Sequence, residues 1–255
     1  MLPAHLAIFH QKITMTNPAP ARAQAPYWSL PGVAEGAWRS AALLPGTIIF
    51  GMAFGTIAAQ KGLTLTDTVL MNALVFAGAA QLVAIEVWTN PLTLGTIASL
   101  AVLTAIVNAR FVLMGASLRP WLGPLPAWQV YPVLLLTTDA TWIVGMRYRM
   151  QGGGDASIYL GAGLAIWAVW VAAVVPGYLL GAVIADPARF GFDFLLPIFF
   201  AAMLVQIWRG AKRAVGWVIA GVVALIAAQL LSGWWFVVIG AVAGSIAGGF
   251  FDDAE

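Results

Sequence analysis

Cysteine is absent from this 255-residue chain. That excludes a disulfide scaffold, a thiolate metal centre and a Cys nucleophile. Histidine is nearly absent: the only two, His5 and His10, stand in the N-terminal tail. Zinc chemistry and a Ser-His-Asp triad inside the main body are thereby excluded. The motifs G-x-x-x-x-G-K-[ST], G-x-S-x-G and H-E-x-x-H are all missing, which removes the common nucleotide-hydrolase and hydrolase signatures. Charge is scarce as well. Only 9% of residues are charged, against roughly 25% in soluble domains. A formal charge of +2 is too small to suggest a nucleic-acid partner. Alternating strand patterns do not occur, which argues against a transmembrane barrel.

What remains is apolar: 62% of residues are hydrophobic and the mean hydropathy is +0.91. Such a chain cannot cover a surface facing water. It reads as an all-α integral membrane protein, a polytopic bundle of about 7–8 transmembrane helices, some kinked or discontinuous. The apolar runs place spans at roughly 41–60, 67–88, 93–116, 130–148, 157–185, 193–209, 214–231 and 233–251. Pro176 predicts a kink in the fifth and Pro197 interrupts the sixth. Residues 40–251 are expected to form a single transmembrane domain, followed by the acidic tail 252–255.

Residues 1–39 read as a disordered tail and an interfacial segment. Residues 1–26 lack a secretory-signal pattern, and Met15 is a second candidate start. The stretch Tyr27–Arg39, with Trp28, Pro31 and Trp38, is expected to lie along the membrane surface. Basic residues orient the chain. With the N-terminus in the cytoplasm, the inner segments hold Lys12, Arg22, Arg39, Arg147, Arg149, Arg209, Lys212 and Arg213, and the outer ones Lys61, Arg119 and Arg189. The expected location is a cell membrane, with the N-terminus inside.

Small residues recur four apart at Gly51–Gly55, Gly177–Gly181 and Gly240–Gly244–Gly248. Such stripes let helices approach closely in lipid. Packing within the chain is the plain expectation; the last stripe could also dock a second subunit.

The polar residues at membrane depth carry the functional question. Arg110 lies in the run IASLAVLTAIVNARFVLMG, where a cation costs about 2.5–3.5 kcal/mol on insertion scales. Asn108 and Arg110 diverge by about 200° on an ideal helix, so one ligand meets both only if the helix unwinds. Asp139, among Thr137, Thr138 and Thr141, is the clearest acid at mid-depth. Two readings stand open: a fixed ion pair with Arg110, or a site that takes up a proton or an ammonium group. Gln81 sits mid-span behind the run Ala77–Gly78–Ala79–Ala80, while Asn72 is expected at the interface and Glu86 near the far end. An interhelical hydrogen bond is the plain role for Gln81. Thr47, Gln206 and Gln229 add weaker polar positions.

The pieces LLPGTIIFGMAFGTIAAQKGL, LMNALVFAGAAQLVA, NARFVLMGASLRP and TTDATW, in this order across residues 43–142, resemble the AzlC-type branched-chain amino acid permease family. The resemblance implies the large subunit of a two-part bacterial inner-membrane exporter of branched-chain amino acids such as valine. It would work with a small hydrophobic AzlD-type partner, and proton coupling is the expected drive. It implies neither an enzyme nor a cofactor or metal. A zwitterion with an apolar side chain needs donors for its carboxylate, an acceptor for its ammonium and an apolar pocket. Arg110 with Asn108 or Gln81 is the expected donor set and Asp139 the acceptor. Gly51, Gly55 and Gly78 leave room, and Phe54 and Phe76 wall the side chain. Asp139 and Glu86 are the candidate proton-coupling acids. A non-transporting membrane scaffold is the alternative.

Overall fold

The computed structural model describes residues 25–88, 91–183, 201, 210–231 and 235–251. Apart from a single bridge between Tyr27 and Asp155, regular structure among them is helical. Among the described residues, three stretches are long and apolar enough to cross a membrane: Leu30–Gln60, Leu94–Leu122 and Ser157–Val183. Residues 1–24 and the sixth expected span, 193–209, lie outside the described residues apart from the helical residue 201, as does the acidic tail.

The first stretch comprises α1 (Leu30–Ser40) and α2 (Leu44–Gln60), joined by a 3-10 turn at Ala41–Leu43. Ser29 caps α1 by accepting from the Gly32 amide at 2.9 Å, and Pro31 occupies its first turn. α1, which takes in residues 30–39 expected along the membrane surface, buries Gly32, Gly36 and, at its end, Ser40. Gly36 lies on the Ile158 backbone of α9 (Ser157–Val183). α9 is 27 residues long, about 40 Å at ~1.5 Å per residue, enough for a tilted crossing.

Glycine sets this contact. A Cβ on Gly55 would lie 2.3 Å from the Val174 carbonyl oxygen, and one on Gly177 would lie 2.1 Å from that of Met52. The backbones touch with no side chain between them. Gly36 meets Ile158, Gly51 meets Ala173 and Gly181 meets Thr56, so the two rods run parallel. The Thr56 hydroxyl donates to the Gly177 carbonyl at 2.9 Å, one residue past Pro176. α9 nevertheless continues as one helix through that proline.

Two expected spans prove to be helical hairpins. Segment 67–88 holds α3 (Leu65–Leu74) and α4 (Gly78–Glu86), broken at residues 75–77. A capping box of Thr64 and Asp67 starts α3 beside the end of α2. After the break the chain returns: Leu82 and Ile85 join Phe54, Ala58, Leu63 and Val174 in one core, with Trp88 packed on it. Both ends of this hairpin therefore lie at the Lys61 end of the molecule. Segment 130–148 holds α7 (Ala127–Leu134) and α8 (Asp139–Met150), broken at residues 135–138. The Trp28 indole donates to Gln129 in α7 at 2.7 Å, and Tyr148 of α8 packs at a tilt against Trp121 and accepts from the Asp155 amide. Both ends of this hairpin lie at the Tyr27 end.

Between the hairpins run α5 (Leu94–Asn108) and α6 (Arg110–Leu122). At Ala109 the hydrogen bonds shorten to three-residue spacing, Ala109 to Ile106 and Val112 to Ala109. Trp121 at the end of α6 donates to the Gly154 carbonyl. Arg119 thus lies at the same end as Arg147 and Arg149, not opposite them as expected. Refolding the two segments as hairpins moves it across.

Leu30–Glu86 and Leu94–Met150 are consequently two copies of one plan: a long interrupted rod, then a hairpin entering from the end where the rod finishes. The same residue spacing separates Gln60 from Leu122 and Leu65 from Ala127. The copies point in opposite directions, an inverted repeat in architecture that no sequence similarity announced. α10 (Ala211–Leu230) and α11 (Trp235–Phe251) form a separate antiparallel pair. Gly240 and Gly244 rest on Ala224 and Ala220 of α10, so those two glycines pack within the chain.

Candidate functional site

Both hairpin tips reach the middle of α9. Leu136, in the second break, meets Gly163. The Trp167 indole donates to the Ala73 carbonyl at the end of α3 at 3.0 Å. Gly78, the first residue of α4, meets the ring of Trp170. These contacts span seven residues of α9, roughly 10 Å at ~1.5 Å per residue. Two half-helices, α4 and α8, therefore begin inside the bundle, with the positive ends of their dipoles there.

The second tip carries charge. Thr138 caps α8, accepting from the Thr141 amide at 3.2 Å, and Asp139 is its first residue. The Tyr159 hydroxyl of α9 donates to Thr137 at 3.0 Å and fixes the break. Arg110 Nη2 lies 2.9 Å from Asp139 Oδ2. The sequence singled out both residues, and the structure brings them together. Both side chains keep about a third of their surface open, 32% and 34%. The Arg110 guanidinium also sits 5.2 Å from the Phe111 ring centre. Its Nε and the Oδ1 of Asn108 are buried without a hydrogen-bond partner among the described residues. Asn108 ends α5 and Arg110 begins α6, and between them the helix tightens at Ala109 and does not unwind, so the unwinding that a shared ligand requires is not seen here.

The first tip carries no charge. Gln81, one turn into α4, donates to the Met71 carbonyl at 3.2 Å and to Asn72 Oδ1 at 2.9 Å. Its own carbonyl accepts weakly from the Ala77 amide at 3.4 Å. Both its donors are spent holding α3 to α4. Asn72, expected at the interface, is fully buried at 0% exposure. The hairpin carries it inward, which a reading of segment 67–88 as one span could not show.

The remaining expected residues are dispersed. Gly51 and Gly55 lie in the α2–α9 contact. Phe54 is buried in the core beside Trp170, with ring centres 6.2 Å apart, and Phe76 packs on that core from the first break. Glu86 closes α4, and its side chain lies outside the described residues. Thr47 bonds its own helix, and Gln229 is exposed. Gln206 lies outside the described residues. Among the described residues no three His, Asp or Glu side chains group to hold a metal ion. Asn72 and Trp170 are the polar groups at the tips that sequence reasoning missed; a tryptophan in an apolar run gives no signal until its N–H is found unpaired.

No curated protein and no solved structure matches the chain. The family model described as AzlC protein matches residues 42–184, which take in α2, both hairpins, the Ala109 break and all of α9. Since that match covers more than half of the sequence, the chain belongs to the AzlC family.

Proposed function

We propose that this protein is the large subunit of a secondary transporter that exports branched-chain amino acids, with proton coupling through Asp139. The family match supports a membrane transport protein. The observation that carries the reading is the Arg110–Asp139 pair at the tip of the second hairpin, where α8 starts inside the bundle. Inverted repeats and half-helices that end inside the bundle are the usual architecture of solute sites in secondary transporters.

The chemistry follows from the pair. An ammonium group or a proton competes with Arg110 for Asp139. Binding one weakens the hold on the other, which links solute movement to proton movement. Asn108 Oδ1 offers a second buried acceptor nearby in sequence. Arg39, Arg119, Arg147 and Arg149 belong to the Tyr27 end and Lys61 to the other, so the positive-inside rule puts the Tyr27 end in the cytoplasm. A small AzlD-type membrane subunit is the proposed partner.

The test is counterflow in proteoliposomes holding this chain with and without such a partner. Labelled valine should exchange against internal valine, and an imposed pH gradient should drive accumulation. Exchange no faster than in protein-free vesicles, with the partner present, would reject transport and leave the scaffold reading. Exchange without response to pH would reject proton coupling alone.

A further inference from the structure

We propose that the tip of the first hairpin is a carboxylate site. In it, the indole N–H of Trp170, the second amide N–H of Asn72 and the first turn of α4 bind the carboxylate of a small apolar solute. The identity of that solute as a transported amino acid rests on the function proposed above; the site itself does not.

Four observations meet at this place. Trp170 is 3% exposed, and its Nε1 has no hydrogen-bond partner among the described residues. A buried N–H left unpaired is costly, so its persistence calls for an acceptor. The Cζ2 of the same ring, bonded to the carbon that carries Nε1, lies 3.3 Å from where a Cβ on Gly78 would stand. Cη2 is nearer still, at 3.1 Å, so the benzene edge of the indole borders the start of α4 and Nε1 lies two bonds beyond Cζ2. Second, Asn72 Nδ2 is buried and unpartnered, while its Oδ1 takes the Gln81 donor. Third, α4 begins with no side-chain cap, so its first N–H groups have no side-chain acceptor. All of these groups are donors, and none carries a charge to be compensated. Such a set suits an anion. It also suits release, because no fixed cation holds the ligand.

The fourth observation is a neighbouring cavity. About 520 Å³ in volume, it extends from Gly62 and Asp67 at the mouth to Met71 and Val75, beside Leu63 and Trp88; it adjoins the site, and Asn72, Gly78 and Trp170 do not line it. The carboxylate at its mouth, Asp67, is tied to the Thr64 amide and hydroxyl. The walls further in are aliphatic and aromatic, which fits a branched apolar side chain. Gly78 keeps the α4 backbone open, since a Cβ there would stand 3.0 Å from Phe50 and 3.1 Å from Trp170. The site is separate from the Arg110–Asp139 pair, so a carboxylate does not have to break that ion pair to bind.

The experiment is equilibrium binding to the purified full chain, using radiolabelled L-leucine and radiolabelled 4-methylpentanoate, which has the carboxylate and side chain but no ammonium. Unlabelled leucinamide and sodium chloride serve as competitors. Trp170→Phe keeps an aromatic ring and removes the N–H together with the five-membered ring that carries it. Asn72→Asp keeps the acceptor for Gln81 and replaces the donor with a repelling oxygen. Unchanged elution and melting temperature confirm that each variant folds. We expect both ligands to bind and to displace each other, with leucinamide a poor competitor. Trp170→Phe should weaken both by about tenfold, the value of one hydrogen bond to a charged group, and Asn72→Asp should abolish both. Wild-type affinity in Trp170→Phe, equal competition by leucinamide, displacement of both ligands by chloride alone, or no binding of either would overturn the site. Trp170-dependent binding of 4-methylpentanoate without leucine transport would keep the site and reject the transporter reading. Leucine transport indifferent to Trp170→Phe would do the reverse.

Discussion

The two hairpins share a shape and differ in how their tips are closed. The first is closed by neutral groups: Gln81 joins α4 to α3, and Trp167 of α9 holds the end of α3. The second is closed by an ion pair between its own Asp139 and Arg110 of the preceding rod, with Tyr159 of α9 holding Thr137. The same architecture, repeated upside down, therefore supplies one neutral tip and one charged tip, and on the function proposed above the charged one is the tip that responds to protons.

The largest effect that separates the tips should come from Asp139→Asn. Gradient-driven valine accumulation should fall to the level of protein-free vesicles while the protein still inserts and elutes normally. Driven flux at the wild-type rate would erase the distinction. Next in size is Arg110→Met, which leaves Asp139 without its counter-charge. Melting in detergent should report a loss of about 2–3 kcal/mol, below the 3–5 of a fully buried pair because a third of each side chain stays open. The double variant Arg110→Met/Asp139→Leu should regain most of that stability and remain inactive. Failure to regain it would mean that the pair is not an independent unit.

At the neutral tip, Gln81→Leu strands the Asn72 carbonyl and one bond each of Met71 and Ala77. A stability loss of about 1–2 kcal/mol should follow, with a pH response of flux like that of the wild type. A changed pH response would show that the first tip also switches. The smallest effects belong to the two bonds from α9. Tyr159→Phe and Trp167→Phe should each cost about 1 kcal/mol in thermal unfolding. A much larger loss at one of them would identify the tip that depends more on this helix.

The apolar runs, the glycine stripes and the two charges at depth were legible because each is a local departure from composition. Gly51, Gly55, Gly177 and Gly181 do meet across α2 and α9. Arg110 and Asp139 do pair. The hairpins were not legible. Twenty apolar residues satisfy the length rule for one crossing whether or not they turn back. The turn residues Val75, Phe76 and Ala77, and Leu135 to Thr138, contain no Pro, and the first Gly beyond them is Gly78. Nothing local marks the reversal. It depends on α9 receiving both tips, a contact between distant parts of the chain. Asn72 was misplaced for the same reason.

The glycine seam between the α1–α2 rod and α9 has a mechanical consequence. Where main chains touch directly, no side chain can swing aside to let one helix slide along the other. That pair behaves as a chassis. Any cycle of opening to one face and then the other falls to the parts hung on it: the two short hairpins and the rod interrupted at Ala109.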